Sequence, residues 1–538
     1  MTGATARGPV AGIVAGRPAL AVPGTEFQSR DVLLGTDRTA VFADAAPSEA
    51  DAAATAAAEA FLALQTDVAG LDATAPVLDP SALVRELAAA LEARRADLVA
   101  IAGIETGLPE ARLNSELSRT TGQLALLGAE AEAHSGVALE EDQAGSEGFA
   151  PALALGQVPL GPVAVFGASN FPFAFGVLGG DTAAALAAGC PVVAKGHPAH
   201  PETSQLLAEI LTQVLADGGW PAGWFSLLHG RGADIGQALV VADGIAAVAF
   251  TGSTRGGLAL VAAAAGRPVP IPVFAELGGI NALYLLPGAT AEAAETAAGS
   301  GFVAGLTQSL TGGSGQFCTK PGLLLVVDCD AARQTVAGLT ESLAAVDSPP
   351  LLTPGILHAL VSGADRLRGI AGVDVLLDGP AEDSAAHHPV PAFLATVTSS
   401  TLRADPSITE ELFGPALVVV YCESVEDLVA LSGVIPAGLT ATIHAASGGA
   451  PSSSSSPSDE DASLTLLRRL RLRAGRVLFG GFPTGVRVGR ATTHGGPFPA
   501  TSAPGTTSVG VKAIDRFLRP VTYQDLPEQL RERALSWR

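Results

Sequence analysis

Three polar side chains stand in short segments that could support chemistry. Cys318 lies in GQFCTKPG, among polar and glycine-rich neighbours that are typical of a loop. Glu276 lies in FAELGG, where desolvation would raise the pKa of a carboxylate and suit it to general base catalysis. Asn170 lies in SNFP, where its amide could donate to an oxyanion. Each also has an ordinary alternative: a buried thiol, a buried ion pair and a turn asparagine.

The chain has four cysteines, and their context separates one of them from the others. Cys190, Cys329 and Cys422 adjoin apolar runs, which is typical of buried thiols. No pair is spaced C-x-x-C, and no histidines cluster with them along the chain, so the spacing predicts neither a metal site nor a disulfide framework. Cys318 alone lies in a polar segment.

Strand-like and helix-like patterns alternate through the middle of the chain. Apolar runs typical of buried strands alternate with helical runs of 10 to 18 residues, and the strand-like runs are GPVAVFG (161–167), PVVAK (191–195), WFSLLHG (224–230) and IAAVAFTGS (245–253). This alternation predicts an α/β fold with a doubly wound parallel sheet.

Ligands of a doubly wound sheet bind beyond the carboxyl ends of its strands. Lys195 ends the second predicted strand, where a cofactor ribose or phosphate would lie, although by itself it is an ordinary surface lysine. In FTGSTRGG, Gly252, Ser253 and Gly257 mark a strand end and a helix start, whose free N–H groups can bind a pyrophosphate. A plain strand–helix turn fits that segment equally well.

Composition excludes several partners. The chain has 31 Lys and Arg against 53 Asp and Glu, and a net charge of −22 disfavours nucleic acids and anionic membranes. Residues 148–180 carry no charge, but their Gly, Pro, Gln and Asn content argues against a membrane span. The N-terminus does not look like a secretory signal, so we expect a soluble, cytoplasmic protein. Residues 447–463 are low in complexity and predict a flexible surface loop.

Six segments occur in an order that identifies a family: PLGPVAVFGASNFPFAF, GGDTAAALAAGCPVVAKGHPAHPETS, FTGST, FAELGG, GQFCTKPG and EELFGP. Together, over about residues 30–527, they resemble the NAD(P)-dependent aldehyde dehydrogenase superfamily. Finer features are most similar to its α-ketoglutaric semialdehyde (2,5-dioxovalerate) dehydrogenase group, among them FGASNFPFAF, KGHPAHP, PIPVFAELGGIN, FPTGV and HGGPFPATS.

The resemblance implies a domain organisation. An aldehyde dehydrogenase fold has a Rossmann-like NAD(P)-binding domain, which would span 30–144 and 161–283. An α/β catalytic domain would span 284–500. A small oligomerisation element would combine 145–160 with 501–538, so the resemblance implies a homodimer or homotetramer.

The resemblance also implies roles for the polar residues. Cys318 would be the nucleophile that attacks an aldehyde, giving a thiohemiacetal and then a thioester. Asn170 and the Cys318 N–H would bind the oxyanion, and Glu276 would activate the hydrolytic water. The residues expected to contact the cofactor are Lys195, His197, Arg231, Gly252, Ser253, Gly257, Glu411 and Phe413.

One departure from the family pattern bears on the choice of cofactor. Many NAD-preferring relatives have Glu three residues after the lysine, and this chain has Pro198. No carboxylate from that position repels a 2′-phosphate, and Lys195, His197 and Arg231 could surround one. We therefore expect NADP to be preferred, with NAD also possible.

The expected reaction is the oxidation of 2,5-dioxopentanoate to 2-oxoglutarate. A carboxylate substrate requires a cation, and Arg119 is the candidate, although a solvated arginine on a helix face fits equally well. Phe171 and Phe482 are further candidates for substrate contact. Oxidation of aliphatic or fatty aldehydes by NADP is the enzymatic alternative, and a non-enzymatic member of the superfold is the other.

Overall fold

The structure, a computed structural model, describes residues 8–67, 78–133, 138–140, 152–295, 301–381, 389–446 and 459–535. The strands are β1 Gly12–Val14, β2 Arg17–Pro18, β3 Phe27–Asp31, β4 Thr36–Phe42, β5 Ala138–Glu140, β6 Leu153–Pro159, β7 Val163–Phe166, β8 Val192–Lys195, β9 Phe225–Leu228, β10 Ala247–Thr251, β11 Val273–Glu276, β12 Asn281–Leu285, β13 Pro321–Val327, β14 Asp374–Asp378, β15 Phe393–Thr398, β16 Ala416–Cys422, β17 Gly438–His444, β18 Ala474–Phe479 and β19 Leu518–Gln524.

The helices cover both sheets. They are α1 Pro47–Asp67, α2 Pro80–Ala93, α3 Arg95–Thr106, α4 Glu110–Ala133, α5 Gly180–Ala187, α6 Pro201–Asp217, α7 Asp234–Val241, α8 Thr254–Ala265, α9 Pro287–Glu295, α10 Gly301–Thr311, α11 Asp330–Ala344, α12 Pro354–Arg368, α13 Ser399–Ala404, α14 Val425–Leu431, α15 Asp459–Leu470 and α16 Glu528–Leu535. No described helix is both long and apolar enough to cross a membrane.

The first seven-stranded sheet has the order β11-β10-β7-β8-β9-β1-β2. Its central strands β7 to β10 are the four predicted strands, and they pair in parallel with β11, as expected for a doubly wound sheet. The strand order reverses between β7 and β10, so the segments after these two strands face one crevice. β1 and β2 belong to this sheet, so it begins before the predicted boundary at residue 30.

The second seven-stranded sheet has the order β14-β15-β16-β13-β12-β17-β18. It is parallel apart from the edge strand β14, which runs antiparallel to β15. Its central strands β12 and β13 are almost wholly buried, as befits a sheet covered on both faces. The first strand of this sheet starts at residue 281, just before the predicted boundary at 284.

A third, three-stranded sheet joins distant parts of the chain in the order β19-β6-β5. β6 and β19 lie within the segments predicted to form the oligomerisation element, whereas β5 precedes them. Residues 501–517 do not extend this sheet. They include the buried 3₁₀ helix Val511–Phe517, whose Ala513, Ile514 and Phe517 belong to the core of the first sheet.

The low-complexity segment predicted at 447–463 is only partly described. Residues 447–458 lie outside the described residues, and residues 459–463 form the start of α15, so the loop prediction is wrong for that part. The carboxylate of Asp459 accepts hydrogen bonds from the backbone N–H groups of Gly288 and Ala446. These bonds hold the start of α15 against the second sheet.

Candidate active site

A cavity of about 490 Å³ is lined by residues of both seven-stranded sheets and the loops that follow them. Asn170 and Glu276 come from the first sheet, and Cys318, Glu411 and Phe413 come from the second. The three residues predicted to be catalytic therefore share one pocket. The same cavity extends past Gly252, Ser253 and His197, three of the predicted cofactor contacts.

Cys318 lies in the turn between the 3₁₀ helix Gly312–Gly315 and the buried strand β13. Gly315 has a φ of +68°, and a Cβ at this position would lie 2.3 Å from the backbone of Gly414. Only glycine permits both the left-handed conformation and that close approach. Because Gly414 belongs to EELFGP, the segment with the thiol and the segment with Glu411 pack backbone to backbone.

The side chain of Asn281 connects the Cys318 segment to the second sheet. Its Nδ2 donates to the carbonyl oxygens of Cys318 and Lys320 at 2.9 and 3.1 Å, and its Oδ1 accepts from the backbone N–H and hydroxyl of Thr440. All hydrogen-bonding atoms of this fully buried amide have partners. The predicted nucleophile is thereby fixed to the second sheet.

The thiol lies between a carboxylate and an imidazole. The Cys318 Sγ is 3.5 Å from Nε2 of His494, and that same nitrogen is 2.9 Å from Oε1 of Glu276. Burial and the neighbouring Glu276 carboxylate raise the pKa of the Cys318 thiol well above its usual range. In the free protein the proton therefore resides on sulfur while Glu276 is ionised.

The structure corrects the expectation for Glu276. Burial acts to raise its pKa, as expected, but His494 and hydrogen bonds from His494, Ser508 and Cys318 outweigh it, and the pKa is lowered. The hydroxyl of Ser508 donates to Oε2 at 2.6 Å. Glu276 ends β11 and is 5% exposed, so it is a buried, ionised carboxylate beside the thiol.

Asn170 faces the thiol segment from the turn after β7. Its Nδ2 donates to the carbonyl oxygen of Gln316 at 2.7 Å, which leaves the second amide hydrogen for another acceptor. The backbone oxygen of Asn170 accepts from Arg112, whose guanidinium stacks over the rings of Phe171 and Phe317. Phe171, predicted to contact substrate, lines the cavity.

The start of α8 offers a site for a dinucleotide pyrophosphate. Ser253 is the N-cap, and its Oγ accepts from the N–H of Gly256. A Cβ on Gly252 would lie 2.7 Å from the ring of Phe250, and one on Gly257 would lie 2.2 Å from Leu277. Because glycine keeps these backbone positions open and the helix start faces the cavity, the segment fits a bound phosphate group.

Glu411 and Phe413 line the cavity beside Gly278. The Glu411 carboxylate packs over Gly278, where a Cβ would lie only 2.4 Å from Oε2 and would displace it. Burial raises the pKa of Glu411 to about 7, against the lowering effect of Lys320. Lys320 is itself buried and donates to the carbonyl oxygen of Ala416 at 2.7 Å. The arrangement fits a carboxylate that accepts hydrogen bonds from a ribose diol.

The residues predicted to surround the adenosine ribose differ from the prediction in one respect. Lys195 ends β8, and burial lowers its pKa to about 8, with Asp44 acting in the opposite direction. Burial, together with His200 and Lys195, places the pKa of His197 well below its usual range. Arg231 bonds to the carbonyl oxygen of Thr25 and lies 3.6 Å from Asp44. The Arg231 guanidinium is therefore already engaged by the protein itself.

Two of the predicted substrate residues, Arg119 and Phe482, have different surroundings. Arg119 stacks over Phe175, donates to the carbonyl oxygen of Val486 at 3.3 Å, and keeps a buried Nη1 with no hydrogen-bond partner among the described residues. It is therefore not a solvated arginine. Neither Arg119 nor Phe482 is among the described residues that line the cavity, and Phe482 packs against Phe302 and His444.

Three site residues were not predicted from the sequence: His494, Asn281 and Lys320. The segments HGGPFPATS and PIPVFAELGGIN pointed to the family but assigned no task to His494 or Asn281. A histidine between Thr and two glycines, outside any helix or strand pattern, was the available signal for His494. Lys320 was visible only as a cation two positions after the thiol.

Comparisons with known proteins identify the family of this chain. Residues 35–451 match the model of the aldehyde dehydrogenase family. An alpha-ketoglutaric semialdehyde dehydrogenase 2 of Azospirillum brasilense is 40% identical over 92% of this chain and 90% of its own length. An alpha-ketoglutaric semialdehyde dehydrogenase of Acinetobacter baylyi is 38% identical over 91% of this chain and 89% of its own length.

Solved structures show the same fold at lower identity. Lactaldehyde dehydrogenase from Escherichia coli superposes with a TM-score of 0.78 at 20% identity, covering 96% of this chain and 99% of that one. A 1-pyrroline-5-carboxylate dehydrogenase from Thermus with bound NAD gives 0.77 at 20% identity, covering 96% and 92%. The chain belongs to the aldehyde dehydrogenase family, and its activity is the NAD(P)-dependent oxidation of an aldehyde.

Proposed function

We propose that this chain oxidises 2,5-dioxopentanoate to 2-oxoglutarate with NADP or NAD. The observation that carries the proposal is the unpartnered Nη1 of Arg119, which is buried close enough to Cys318 for the two groups to interact electrostatically. A substrate with a carboxylate at the far end from its aldehyde would satisfy this guanidinium. The two relatives named above are both alpha-ketoglutaric semialdehyde dehydrogenases, which supports the same substrate.

The first task of the site is to remove the thiol proton. Cys318 lies 3.5 Å from Nε2 of His494 and interacts with the Glu276 carboxylate. Because the ionised carboxylate opposes formation of a thiolate, the proton must pass to the His494–Glu276 pair as the sulfur attacks the aldehyde carbon. The negative charge of the pair is thereby neutralised at the moment when charge develops on the substrate oxygen.

The second task is to stabilise that oxygen. The free Nδ2 hydrogen of Asn170 and the backbone N–H of Cys318 approach the same region from the two sheets, and together they would bind the oxyanion of the thiohemiacetal. A nicotinamide cofactor held by Ser253, Glu411 and Phe413 would supply the hydride acceptor for the substrate carbon, and a thioester would then remain on Cys318. Gln316 fixes Asn170 through a 2.7 Å hydrogen bond, so this donor is preorganised.

The last task is hydrolysis of the thioester. Once the His494–Glu276 pair has released the thiol proton to solvent, the Glu276 carboxylate accepts a proton from water as the water attacks. Ser508 contacts Oε2 and His494 contacts Oε1, so the carboxylate is oriented by two residues that come much later in the chain. Release of the acid returns Cys318 to its thiol form.

We further propose that NADP is preferred. Pro198 supplies no carboxylate that would repel a 2′-phosphate, and Lys195 carries most of its charge at pH 7. His197 contributes as a neutral hydrogen-bonding group because its pKa is low. Arg231 is not part of this proposal, since Thr25 and Asp44 already engage it.

A homodimer or homotetramer built on the β19-β6-β5 sheet is also proposed. Among the described residues this sheet has three strands, and exposed apolar side chains such as Leu155 suit it for contact with a second copy. Light scattering of the purified chain measures the assembly size. A monomer would contradict this part of the proposal.

An uncharged aliphatic aldehyde is the second candidate substrate. The rings of Phe171 and Phe175 line the cavity beside Asn170 and favour an apolar chain. A panel of aldehydes assayed by the absorbance of reduced cofactor, with NADP and NAD in parallel, separates the candidates. The highest kcat/KM for 2,5-dioxopentanoate is expected; a higher value for hexanal would favour the second candidate.

A further inference from the structure

Three side chains with different metal-binding atoms meet beside the thiol. The sulfur of Cys318, a ring nitrogen of His494 and a carboxylate oxygen of Glu276 all lie within 4.8 Å of one another, and His494 and Glu276 are buried. The sequence spacing predicted no such cluster. The tertiary structure forms it because the three residues come from the turn before β13, the end of β11 and the segment after β18.

The separations suit one small divalent cation. A tetrahedral Zn²⁺ binds sulfur at about 2.3 Å and nitrogen or oxygen at about 2.0–2.2 Å, which places its ligands roughly 3.3–3.6 Å apart. The 3.5 Å between Sγ and Nε2 already matches this, and the 2.9 Å between Nε2 and Oε1 would have to open slightly. The 490 Å³ cavity provides an approach and room for water as the fourth ligand.

The chemistry of the three side chains suits a divalent cation. The three side chains offer one sulfur, one imidazole nitrogen and one carboxylate oxygen within 4.8 Å of one another, so a single cation could bind all three. A divalent cation would stabilise both the thiolate and the carboxylate, and binding would release the thiol proton to water. Oε1 of Glu276 lies 2.9 Å from Nε2, so a cation bound between them would replace the contact between these two atoms.

We propose that Cys318, His494 and Glu276 form a Zn²⁺ site, and that zinc bound there reversibly inhibits aldehyde oxidation. The ion occupies the lone pairs that the nucleophile and the base need, so it blocks both the attack and the hydrolysis. Arg119 opposes the ion, because its positive charge acts on the same thiol. Because the ion occupies the thiol that attacks the aldehyde, inhibition competes with the aldehyde and does not require a particular substrate.

The binding test uses the full chain, titrated with CoCl₂ in thiol-free buffer without substrate or cofactor. One equivalent should give the ultraviolet thiolate-to-cobalt charge-transfer band and visible bands of a four-coordinate ion, and ZnCl₂ should displace it. Cys329→Ser is the matched control, because Cys329 is the exposed cysteine and lies outside the site. It should leave the spectrum and the inhibition unchanged.

His494→Asn decides between a built site and simple thiol binding. Loss of even an outer-sphere partner costs about 10–100-fold in metal affinity, so the loss of a ligand should weaken Co²⁺ binding at least that much. Glu276→Gln provides a second variant with the same expectation, and the spectrum does not depend on activity. Equal affinities in wild type and both variants, or no charge-transfer band in wild type, would overturn the proposal.

Inhibition is measured separately, with hexanal as substrate and ZnCl₂ buffered by a chelator. The wild type should lose activity with rising free Zn²⁺ and recover it when EDTA is added. Raising the hexanal concentration should relieve the inhibition. Zinc binding without inhibition would also overturn the proposal, whereas failure to oxidise 2,5-dioxopentanoate would leave it intact.

Discussion

The polar side chains around the thiol and those predicted to bind the adenosine ribose have different hydrogen-bond partners. The residues around Cys318 are called the thiol end here, and those near Lys195 and Arg231 the adenosine end. At the thiol end, Cys318, Glu276 and His494 interact mainly with one another, although they come from three separate parts of the chain. At the adenosine end, Arg231 bonds to Thr25 and Asp44, which belong to the surrounding fold. A motif match therefore predicts the position of a side chain better where the matched residues contact one another. It predicts less well where a residue, such as Arg231, can bond to other parts of the fold.

Charge separates the two ends as well. At the thiol end an ionised carboxylate and a protonated thiol share a proton-transfer network. At the adenosine end burial removes charge: the pKa of His229 falls to about 3 and that of His197 lies well below its usual range. Lys195, which is half-buried, keeps most of its charge at pH 7, with its pKa lowered to about 8 by desolvation. Reaction chemistry and cofactor choice should therefore respond to different mutations and to different pH ranges.

The largest effect is expected from Cys318→Ala. The variant should lose dehydrogenase activity while still binding NADP, because the thiol forms the covalent intermediate but contributes little to cofactor affinity. Calorimetry measures binding, and the absorbance of reduced cofactor measures activity. Cys190→Ala, at a buried position in the core of the first sheet, is the control and should keep its turnover. Oxidation at a near wild-type rate in Cys318→Ala would break the thiol end of the comparison.

Glu276→Gln should slow hydrolysis more than hydride transfer. Loss of a general base costs roughly 10²–10⁴-fold, and Glu276 is the base of the hydrolysis, whereas His494 remains beside the thiol to accept its proton in the earlier step. Rapid mixing should show a burst of reduced cofactor followed by slow turnover. If burst and steady state decline together, Glu276 acts first in removing the thiol proton and not in hydrolysis.

Arg119→Leu should discriminate between substrates. A charged hydrogen bond contributes about 1.5–3 kcal/mol, so kcat/KM for 2,5-dioxopentanoate should fall tenfold or more while that for hexanal changes little. Arg333→Leu, on an exposed part of α11, is the matched control. An equal fall for both aldehydes would assign Arg119 to the packing of the pocket.

Cofactor affinity should depend on pH through Lys195. Its pKa in the free protein is about 8, so it is charged below that pH, and binding of the anionic 2′-phosphate should weaken as pH rises above it, by up to about tenfold per unit. Calorimetric titration with NADP from pH 7 to pH 9.5 measures this. Lys195→Met should bind weakly with a flat profile; the same slope in this variant would exclude Lys195 as the titrating group.

The smallest effect is expected from Arg231→Ala. Because the guanidinium is already bonded to Thr25 and paired with Asp44, the ratio of kcat/KM for NADP and NAD should change by less than about threefold, within the range of a surface ion pair. A wild type that prefers NAD would contradict the proposed preference. A large loss of NADP preference in Arg231→Ala would restore the original sequence prediction and erase the contrast between the two ends.

Local sequence was sufficient for much of the fold. Apolar runs alternating with helical patterns predicted β7 to β10, because strand and helix periodicities depend on the spacing of apolar residues that are close in sequence. Gly252 and Gly257 were likewise predicted, from the strand end and the helix start that FTGSTRGG marks. The order of six segments identified the family, and the family match agrees.

Tertiary structure alone decided which side chains meet. Cys318 and His494 are 176 residues apart, and no periodicity or spacing links them. The same is true of Asn281, whose amide joins the thiol segment to β17. The lowered pKa of Glu276 and the engagement of Arg231 also depend on such distant partners. Electrostatic and hydrogen-bond energies depend on separation in space, which the chain sets only when it folds.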